Sequence, residues 1–274
     1  MKIDTCKLIF SPKKSLGQNF LVNPRILDKI VAAAEIGKED VILEIGPGTG
    51  NLTEKLAAEA KKVISVEKDK RLIEILKEKF KNSNVEIVES DILKLDTWTL
   101  FRNSKLEIRN SNYKVVANIP YYITSRFLRK IFTEWPRPKL IVLTIQKEVA
   151  QRIIAKPPKM NLLALSVQFF SQADILCYIT KSQFRPIPKV DSAIIKLMPR
   201  EKLPTADYEK FFKIVQAGFS QRRKKLIGNI SRNSDILKKD LLKSFEKVGI
   251  KETARAENLS LSQWLELTKF IKKS

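Results

Sequence analysis

One segment decides the fold of this chain: Val41-Ile42-Leu43-Glu44-Ile45-Gly46-Pro47-Gly48-Thr49-Gly50. The apolar run at its start predicts a buried strand, and the residues that follow Gly50 predict a helix. Glycine permits tight turns and a close approach of the backbone to a ligand. A strand, a glycine-rich turn and a helix in this order are typical of the loop that contacts nucleotide cofactors in open α/β sheets.

The spacing of the glycines excludes two common nucleotide motifs. A dinucleotide fingerprint that starts at Gly46 needs a glycine where the chain has Asn51. A phosphate-binding loop of the Walker type needs Gly-Lys-Ser/Thr, which does not follow Gly50. The alternative interpretation of Gly46–Gly50 is an ordinary tight turn.

Around this segment, the hydrophobic pattern between residues 25 and 150 alternates between strands and helices, which predicts a mostly parallel sheet. The predicted strands are Val41–Ile45, Lys62–Val66, Val85–Glu89, Val115–Ala117 and Leu140–Ile145, and the predicted helices are Pro24–Ala34, Leu52–Ala60, Lys70–Phe80, Ser125–Phe132 and Lys147–Ile154. Two further strands, Ile175–Thr180 and Ser192–Met198, are joined by the proline-rich connection Phe184–Lys189, and we expect them to form a hairpin at the sheet's edge.

The C-terminal part of the chain has a different pattern. After a linker at Pro199–Pro204, the predicted helices are Tyr208–Ser220, Asp235–Val248 and Ser262–Lys272, with no strand. We therefore expect an α/β domain over residues 1–200 and a small all-helical domain over residues 201–274.

The charge balance points to a polyanionic partner. Among 274 residues, 52 are Lys or Arg and 30 are Asp or Glu, so the net charge is +22 at pH 7. Such an excess attracts RNA or DNA. A membrane surface is the weaker alternative, because no apolar run approaches the roughly 20 residues of a spanning helix.

Other features of the composition narrow the chemistry. The chain has no histidine, which excludes Ser-His and Cys-His pairs, imidazole bases and His-ligated zinc. Cys6 and Cys177 have no metal-ligand spacing, and the N-terminus lacks the apolar segment of a secretory signal. We therefore expect a cytoplasmic protein that needs no metal and works by positioning, electrostatics or carboxylates.

Acidic residues end the next two predicted strands. Glu67 lies about 20 residues beyond the glycine loop, where an acidic side chain can accept hydrogen bonds from both hydroxyls of a ribose. Asp91 can accept a hydrogen bond from an adenine amine. A glycine loop with two such acids, and no pyrophosphate motif, predicts S-adenosylmethionine as the cofactor. Helix capping is the alternative role of each acid taken alone.

The tetrapeptide Asn118-Ile119-Pro120-Tyr121 follows a strand-like run. The Asn118 side-chain oxygen and a backbone carbonyl are two acceptors that suit the exocyclic amine of a nucleobase. Pro120 lacks an N–H and has a fixed φ, so the turn is stiff. Tyr121 can stack on a base that has left its helix. The alternative is an Asn-Pro turn that caps a strand.

These motifs resemble those of the ribosomal RNA adenine dimethyltransferases of the KsgA/Dim type, and the resemblance covers nearly the whole chain. Its pieces are Leu16–Leu21, Glu44–Gly50, Glu67, Asp91, Asn118–Tyr121, Gln146–Arg152, Phe184–Ser192, Gln221–Lys225 and Arg255–Ser260. The resemblance implies a class I S-adenosylmethionine-dependent methyltransferase. Its Rossmann-like, mostly parallel sheet would be followed by a small all-helical C-terminal domain.

The resemblance also implies roles for residues and partners. The implied cofactor contacts are Asn19, Leu21, Gly46, Gly48, Glu67, Asp91 and Asn118. The implied substrate is a pair of adjacent adenines in a hairpin loop near the 3′ end of small-subunit rRNA, each methylated twice at N6. We expect the partner to be this rRNA or a pre-assembled small subunit, and we expect the chain to act as a monomer without a membrane.

The predicted catalytic set is Asn118, Pro120, Tyr121 and Phe184. Phe184 begins the proline-rich connection and is predicted to stack on the second face of the target base. Its alternative role is that of a core aromatic that anchors the connection.

A basic cluster in the C-terminal part is predicted to bind RNA phosphates. It consists of Arg222, Arg223, Lys224 and Lys225. The alternative is a solvated helix face.

Two competing functions are weighed against the dimethyltransferase. A large-subunit rRNA adenine methyltransferase of the Erm type shares the Gln-Asn-Phe, glycine-loop and Asn-Ile-Pro-Tyr motifs. Gln221–Lys225 and Arg255–Ser260 favour the small-subunit branch. A non-catalytic ribosome-assembly or transcription factor would keep the fold and the basic surface, but the intact Asn118, Glu67 and Asp91 favour an enzyme.

Overall fold

The computed structural model describes residues 12–13, 16–103, 113–205 and 207–271. Cys6 and the last residue of the third predicted C-terminal helix, Lys272, lie outside the described residues. Backbone contacts divide the chain into two compact units. The first comprises residues 1–150 and 173–199, and the second comprises residues 151–172 and 200–274.

The strands form a seven-stranded sheet in the order β4-β3-β2-β5-β6-β9-β7 and a two-stranded sheet of β1 and β8. Their bounds are β1 Phe20–Leu21, β2 Val41–Ile45, β3 Lys62–Glu67, β4 Val85–Glu89, β5 Tyr113–Asn118, β6 Leu140–Gln146, β7 Ser171–Ile179, β8 Phe184–Arg185 and β9 Ser192–Pro199.

The described helices alternate with the strands from β1 to β6, α6 and α7 precede β7, and α8 to α11 follow β9. Their bounds are α1 Pro24–Ala33, α2 Asn51–Glu59, α3 Lys70–Lys79, α4 Thr97–Asn103, α5 Thr124–Thr133, α6 Lys147–Ile153, α7 Leu162–Phe170, α8 Tyr208–Gly218, α9 Leu226–Arg232, α10 Lys238–Val248 and α11 Leu261–Phe270. None of the helices in this described part is long and apolar enough to cross a bilayer.

The large sheet is mostly parallel, as predicted, and the Rossmann-like class is confirmed. Strand β2 is parallel to β3 and to β5, β3 is parallel to β4, and β5 is parallel to β6, whereas β9 runs antiparallel to β6. All five residues of β2 are buried, because the strand lies in the interior of the sheet.

The strand order creates a crevice beside β2. The chain leaves β2 on one side through β3 and β4, and it returns on the other side at β5. Where the strand order reverses, the connections after two adjacent strands run to opposite sides of the sheet. This leaves a crevice at the carboxyl ends of those two strands. In this sheet the crevice lies where β2 and β5 end.

The predicted strands of the parallel sheet agree with the structure to within two residues at each end, and the two predicted edge strands are the neighbours β9 and β7. Sequence patterns missed β1, β8, α4, α7 and α9. Helix α7, Leu-Leu-Ala-Leu-Ser-Val-Gln-Phe-Phe, is nearly all apolar, so it lacks the polar face that gives a helix its period.

The second unit is built on aromatic packing. Phe211 of α8 and Phe169 of α7 lie with their ring centroids 4.9 Å apart. Trp264 of α11 is fully buried, and a Cβ added at Gly218 would lie 2.4 Å from its ring. This unit includes residues 151–172, which the predicted boundary after residue 200 assigned to the α/β domain.

A buried ion pair supplies the first prediction. Lys114 of β5 pairs with Asp40 at 2.7 Å, and only 5% and 11% of the two side chains are exposed. Lys114→Ala leaves the Asp40 carboxylate buried without its partner, so we expect the free energy of unfolding to fall by about 3–5 kcal/mol.

The matched control is Lys61→Ala, whose Lys61–Glu39 pair has the same 2.7 Å separation but side chains that are 57% and 83% exposed. An exposed pair contributes about 0–1 kcal/mol. Urea unfolding of both variants is the measurement, and equal losses of stability would contradict the argument from burial.

Candidate active site

An open cavity lies in the first unit, at the carboxyl ends of β2, β3, β4 and β5. Residues 16–20, which precede and begin β1, complete its wall. The predicted site residues that line it are Asn19, Gly46, Gly48, Glu67, Asp91, Asn118, Pro120 and Tyr121. Leu21 lines a smaller adjoining space, which shares Gly46 and Asn118 with this cavity.

The glycine loop after β2 depends on positive φ angles. Gly46, Gly48 and Gly50 have φ of 68°, 59° and 79°, values that side-chain-bearing residues rarely adopt. A Cβ on Gly48 would lie 2.7 Å from the Phe20 ring, which lines the cavity. The loop therefore needs glycine at this position both for its backbone and for the side chain packed against it.

The Glu67 carboxylate is held by three backbone N–H groups. Oε1 accepts from Lys68 and Asp69 at 2.8 Å each, and Oε2 accepts from Gly48 at 3.3 Å. Burial raises the pKa of Glu67, and the three backbone donors oppose this effect. The side chain thus presents oriented acceptors to the cavity and is fixed to the glycine loop at the same time.

Asp91 forms an ion pair that the sequence did not predict. Lys68 donates to Asp91 Oδ2 at 2.8 Å, and the Leu93 N–H donates to Oδ1 at 3.0 Å. Burial raises the pKa of Asp91, but these donors outweigh burial and hold the pKa below its ordinary value. Asp91 is therefore a stable anion and an acceptor at physiological pH.

A second carboxyl group, that of Glu44, lies behind the loop. It is 1% exposed, and its Oε2 accepts from the hydroxyls of Thr53 at 2.7 Å and Ser65 at 2.6 Å. Oε1 has no hydrogen-bond partner among the described residues. Burial raises the pKa of Glu44 to about 7, so this group takes up a proton far more readily than an exposed glutamate.

Asn118, the last residue of β5, has a fixed orientation. Its Nδ2 donates to the backbone oxygen of Asn19 at 3.0 Å. Because the amide nitrogen is used in this way, Oδ1 is the atom left to accept a hydrogen bond at the cavity. The backbone after Asn118 is also fixed, since the Ile119 N–H donates to Thr144 of β6 at 3.3 Å and Ile123 N–H donates to Pro120 at 3.1 Å.

Two tyrosines follow Pro120 in a single 3₁₀ turn, and both line the cavity. The hydroxyl of Tyr121 is 2.7 Å from the hydroxyl of Ser192. Tyr122 is 61% exposed, and its ring lies against Gly17, where an added Cβ would be 3.3 Å away. The Tyr121 side chain is thus held by a hydrogen bond, whereas the Tyr122 side chain is largely exposed at the rim of the cavity.

The predicted stacking role of Phe184 requires correction. Its side chain is fully buried and belongs to a core cluster with Leu21, Leu27 and Ile30. A ring without an exposed face cannot receive a base, and Phe184 does not line the cavity. In this structure it is the core aromatic of the alternative interpretation, where β8 pairs with β1.

The basic cluster lies in the second unit, in the exposed turn before α9. Asn229 is 1% exposed, and its amide donates to the backbone oxygens of Gly218 at 2.7 Å and Gln221 at 2.9 Å. This buried amide holds the start of the turn. Lys224 and Lys225 border a concave space that is also lined by Arg232 and Lys238.

Sequence reasoning missed the cavity residues Lys68 and Tyr122. The signal for Tyr122 was its place beside Tyr121, directly after a stiff turn. Lys68 follows Glu67 at the end of β3, but nothing in the sequence pairs it with Asp91, because that contact depends on the register of β3 and β4.

The chain is similar to known ribosomal RNA methyltransferases over almost its whole length. The family described as ribosomal RNA adenine dimethylase matches residues 9–273. A ribosomal RNA small subunit methyltransferase A of Dehalococcoides mccartyi is 41% identical over 260 residues, which are 93% of this chain and 87% of the relative. One from Bacillus mycoides is 41% identical over 267 residues, 94% of this chain and 91% of the relative.

Two solved structures share the fold across both units. The crystal structure of a dimethyladenosine transferase from Plasmodium falciparum gives a TM-score of 0.77 at 33% identity, covering 90% of this chain and 95% of that chain. The crystal structure of the 23S rRNA methyltransferase ErmE gives a TM-score of 0.74 at 26% identity, covering 92% of this chain and 99% of that chain.

The glycine loop supplies a prediction with a built-in control. Gly48→Ala and Gly249→Ala both place a Cβ on a residue at positive φ, at a cost of about 1–2 kcal/mol each. Only at Gly48 does the Cβ also meet a cavity residue, since nothing lies within 4 Å of a Cβ at Gly249. We expect both variants to unfold at lower temperature than the unsubstituted chain.

Only Gly48→Ala should weaken binding of S-adenosylmethionine, by about tenfold or more, because Phe20 has to move (tenfold is about 1.4 kcal/mol). Isothermal titration calorimetry on both variants tests this. An unchanged affinity in Gly48→Ala would contradict the expectation that Phe20 and Gly48 form part of the cofactor site.

Proposed function

Because the chain belongs to the ribosomal RNA adenine dimethylase family, we propose that it transfers methyl groups from S-adenosylmethionine to N6 of adenines in small-subunit rRNA. The proposed targets are two adjacent adenines in a hairpin loop near the 3′ end, and the proposed product is N6,N6-dimethyladenine. The observation that carries the proposal is the hydrogen bond from the Asn118 amide nitrogen to the Asn19 backbone oxygen, which leaves Oδ1 of this cavity-lining residue to accept from a ligand.

The donor set at the cavity fits an adenosyl cofactor. Glu67 presents a carboxylate fixed by three backbone N–H groups, which suits two neighbouring ribose hydroxyls. Asp91 is an anionic acceptor that suits the adenine amine. Gly46 leaves room for a close approach of the ligand to the backbone, since the nearest atom to a Cβ there would be the Asn118 backbone oxygen at 3.9 Å. When bound, the cofactor supplies an electrophilic methyl group on a sulfonium.

The residues at the end of β5 suit the attacking amine. The N6 nitrogen of adenine is a poor nucleophile while its lone pair is delocalised into the ring. Asn118 Oδ1 and the carbonyl of Ile119 can accept its two N–H bonds and draw the nitrogen toward tetrahedral geometry. These contacts would hold the amine in line with the methyl group and away from water. They would therefore speed the transfer by positioning the amine and not by removing its proton.

The proposed reaction needs no general base from the protein. The amine can release its proton to water after it has attacked, which is consistent with a chain that contains no histidine. Burial raises the pKa of Tyr121, so its hydroxyl stays neutral and the ring serves as a stacking surface. Stacking of one base on an aromatic side chain contributes about 1–3 kcal/mol.

Methylation of large-subunit rRNA is the second candidate function, because the chain is also similar in structure to ErmE. The curated relatives at 41% identity favour the small subunit. One experiment separates the two functions. The protein is incubated with labelled S-adenosylmethionine and unmethylated small or large subunits, the labelled nucleotides are located in the RNA, and the masses of the labelled nucleosides are measured by mass spectrometry. We expect label on small-subunit RNA, ending as dimethyladenine. Label confined to large-subunit RNA would overturn the proposal.

Asn118→Ala should slow methyl transfer by about 10²–10³, the effect of removing one hydrogen bond that acts in the transition state. Asn84→Ala is the control, because the Asn84 amide also donates to backbone oxygens, at Ala57 and Ala60, but does not line the cavity. Single-turnover rates on small subunits give the comparison. A folded Asn118→Ala enzyme with the rate of the control would refute the role of Asn118.

Neutralising the basic cluster should affect RNA binding and not cofactor binding. Replacement of Arg222, Arg223, Lys224 and Lys225 by Gln removes up to four phosphate contacts, and each contributes about 0.9 to the log–log salt slope on duplex nucleic acid. We expect weaker binding of small subunits and a flatter salt dependence, with unchanged affinity for S-adenosylmethionine.

The control for this variant removes four exposed lysines of the first unit, and so the same net charge. These are Lys38, Lys61, Lys77 and Lys81. A salt slope that changes equally in both variants would mean that the chain's overall charge, and not the turn before α9, drives RNA binding.

A further inference from the structure

The hydroxyl of Ser192 contacts the candidate site, and the proposed reaction gives it no role. Ser192 is the first residue of β9 and is fully buried. Its hydroxyl lies 2.7 Å from the Tyr121 hydroxyl, so a residue of the sheet reaches the aromatic turn that follows β5. The side chain is too deeply buried to meet a substrate itself.

The sheet gives Ser192 a fixed position. It pairs with Gln146 at the end of β6, and the neighbouring backbone of Asp191 accepts from the Lys147 N–H at 3.0 Å. The Asp191 carboxylate accepts from the Lys181 N–H, also at 3.0 Å. The backbone segment that bears the Ser192 hydroxyl is therefore fixed by hydrogen bonds to two other parts of the chain.

The register connects Ser192 to Asn118. Asn118 of β5 is level with Thr144 of β6, and Thr144 is level with Ile194 of β9. Paired residues share a face of the sheet, and residues two apart on one strand do as well, so Ser192 lies on the same face as Asn118. One face of three adjacent strands thus carries both the predicted acceptor and the hydroxyl that holds the predicted stacking ring.

The backbone of Tyr121 is also anchored. Its carbonyl accepts from the Thr124 hydroxyl at 3.2 Å, at the start of α5. With the backbone fixed at one end, the hydroxyl contact at the other end leaves the ring little freedom to rotate. Without that contact, the ring would be free to adopt other rotamers on the cavity side.

We propose that Ser192 is a positioning residue for the methyl transfer, whose hydroxyl holds the Tyr121 ring in the orientation that stacks on the target base. The inference rests on the proposed function and adds a residue to it. Ser192 acts through Tyr121, because its own side chain has no access to the cavity.

The role proposed for Ser192 predicts different effects on the first and the second methyl transfer. The unmethylated amine has two N–H bonds, so Asn118 and the Ile119 carbonyl can both hold it. After the first transfer only one N–H remains, and the base then depends more on stacking for its position. Loss of the Ser192 hydroxyl should therefore slow the second transfer more than the first, and monomethyladenine should accumulate.

The test is a double-mutant cycle of Ser192→Ala and Tyr121→Phe, which remove the same hydrogen bond from its two ends. Both steps are followed by mass spectrometry of nucleosides from unmethylated small subunits under single-turnover conditions. We expect each single variant to slow the second transfer by about three- to tenfold, the range for one hydrogen bond. The double variant should be no slower than either single variant.

Two controls separate positioning from general stability. Ser171→Ala removes another fully buried serine hydroxyl, which bonds the Val167 oxygen at 3.1 Å and lies outside the cavity, and it should leave the ratio of the two steps unchanged. Affinity for S-adenosylmethionine should be unchanged in all variants. If Ser192→Ala fails to fold, Tyr121→Phe still removes the contact and keeps the ring.

The outcomes are distinct. Additive effects in the double variant, equal slowing of both steps, or a normal ratio in both single variants would overturn the role of Ser192. A wild-type enzyme that makes no dimethyladenine on small subunits would instead overturn the proposed function, and the inference with it.

Discussion

The parallel register of β2 with its two neighbours is the constraint on which the site depends. Ile45 at the end of β2 is level with Val66 of β3 and with Ala117 of β5. The next residue along the chain is Gly46 after β2, Glu67 at the end of β3 and Asn118 at the end of β5. The glycine loop, Glu67 and Asn118 therefore meet because backbone hydrogen bonds align three strand ends.

The cavity is a site of acceptors within a strongly basic chain. Glu67, Asp91 and Asn118 all offer oxygen atoms. Glu67 and Asp91 accept from backbone or side-chain donors, and Asn118 is held by the hydrogen bond that its amide nitrogen donates to the Asn19 backbone oxygen. A preorganised acceptor needs no rearrangement when a ligand donates a hydrogen bond to it. No free energy is then lost to reorganisation, and the hydrogen bond contributes more to ligand binding in a site with little water. The positive charge that is proposed to attract RNA lies in the second unit, in an exposed turn whose backbone is held in place by the buried amide of Asn229.

Much of this arrangement could be predicted, since it depends on local pattern. The strand ends and glycine loop follow from hydrophobic runs and from residues with unusual backbone freedom, and both are local properties of the sequence. The contacts of Lys68 with Asp91 and of Tyr121 with Ser192 join residues far apart in sequence, and only the sheet register brings them together.

Two predictions differ from the structure for physical reasons of the same kind. An aromatic residue in a proline-rich connection has the same local signature whether it faces a cavity or the core, and the pairing of β8 with β1 places Phe184 in the core. Helix α7 is nearly uniformly apolar, so its pattern could not assign residues 151–172 to the helical unit, where Phe169 packs on Phe211.

The division into two units has a consequence for specificity. A cavity that recognises an adenosyl group and a flipped adenine sees the same chemistry on any ribosomal RNA, because base and cofactor are identical in each case. The proposed hydrogen bond to Asn118 Oδ1 and the proposed stacking on Tyr121 recognise an amine and a base, but they carry no information about the position of that base in a large RNA. Recognition of one hairpin must therefore come from contacts outside the cavity. Phosphate contacts fix register and orientation, so the proposed contacts of the exposed basic turn would supply the information that the cavity lacks.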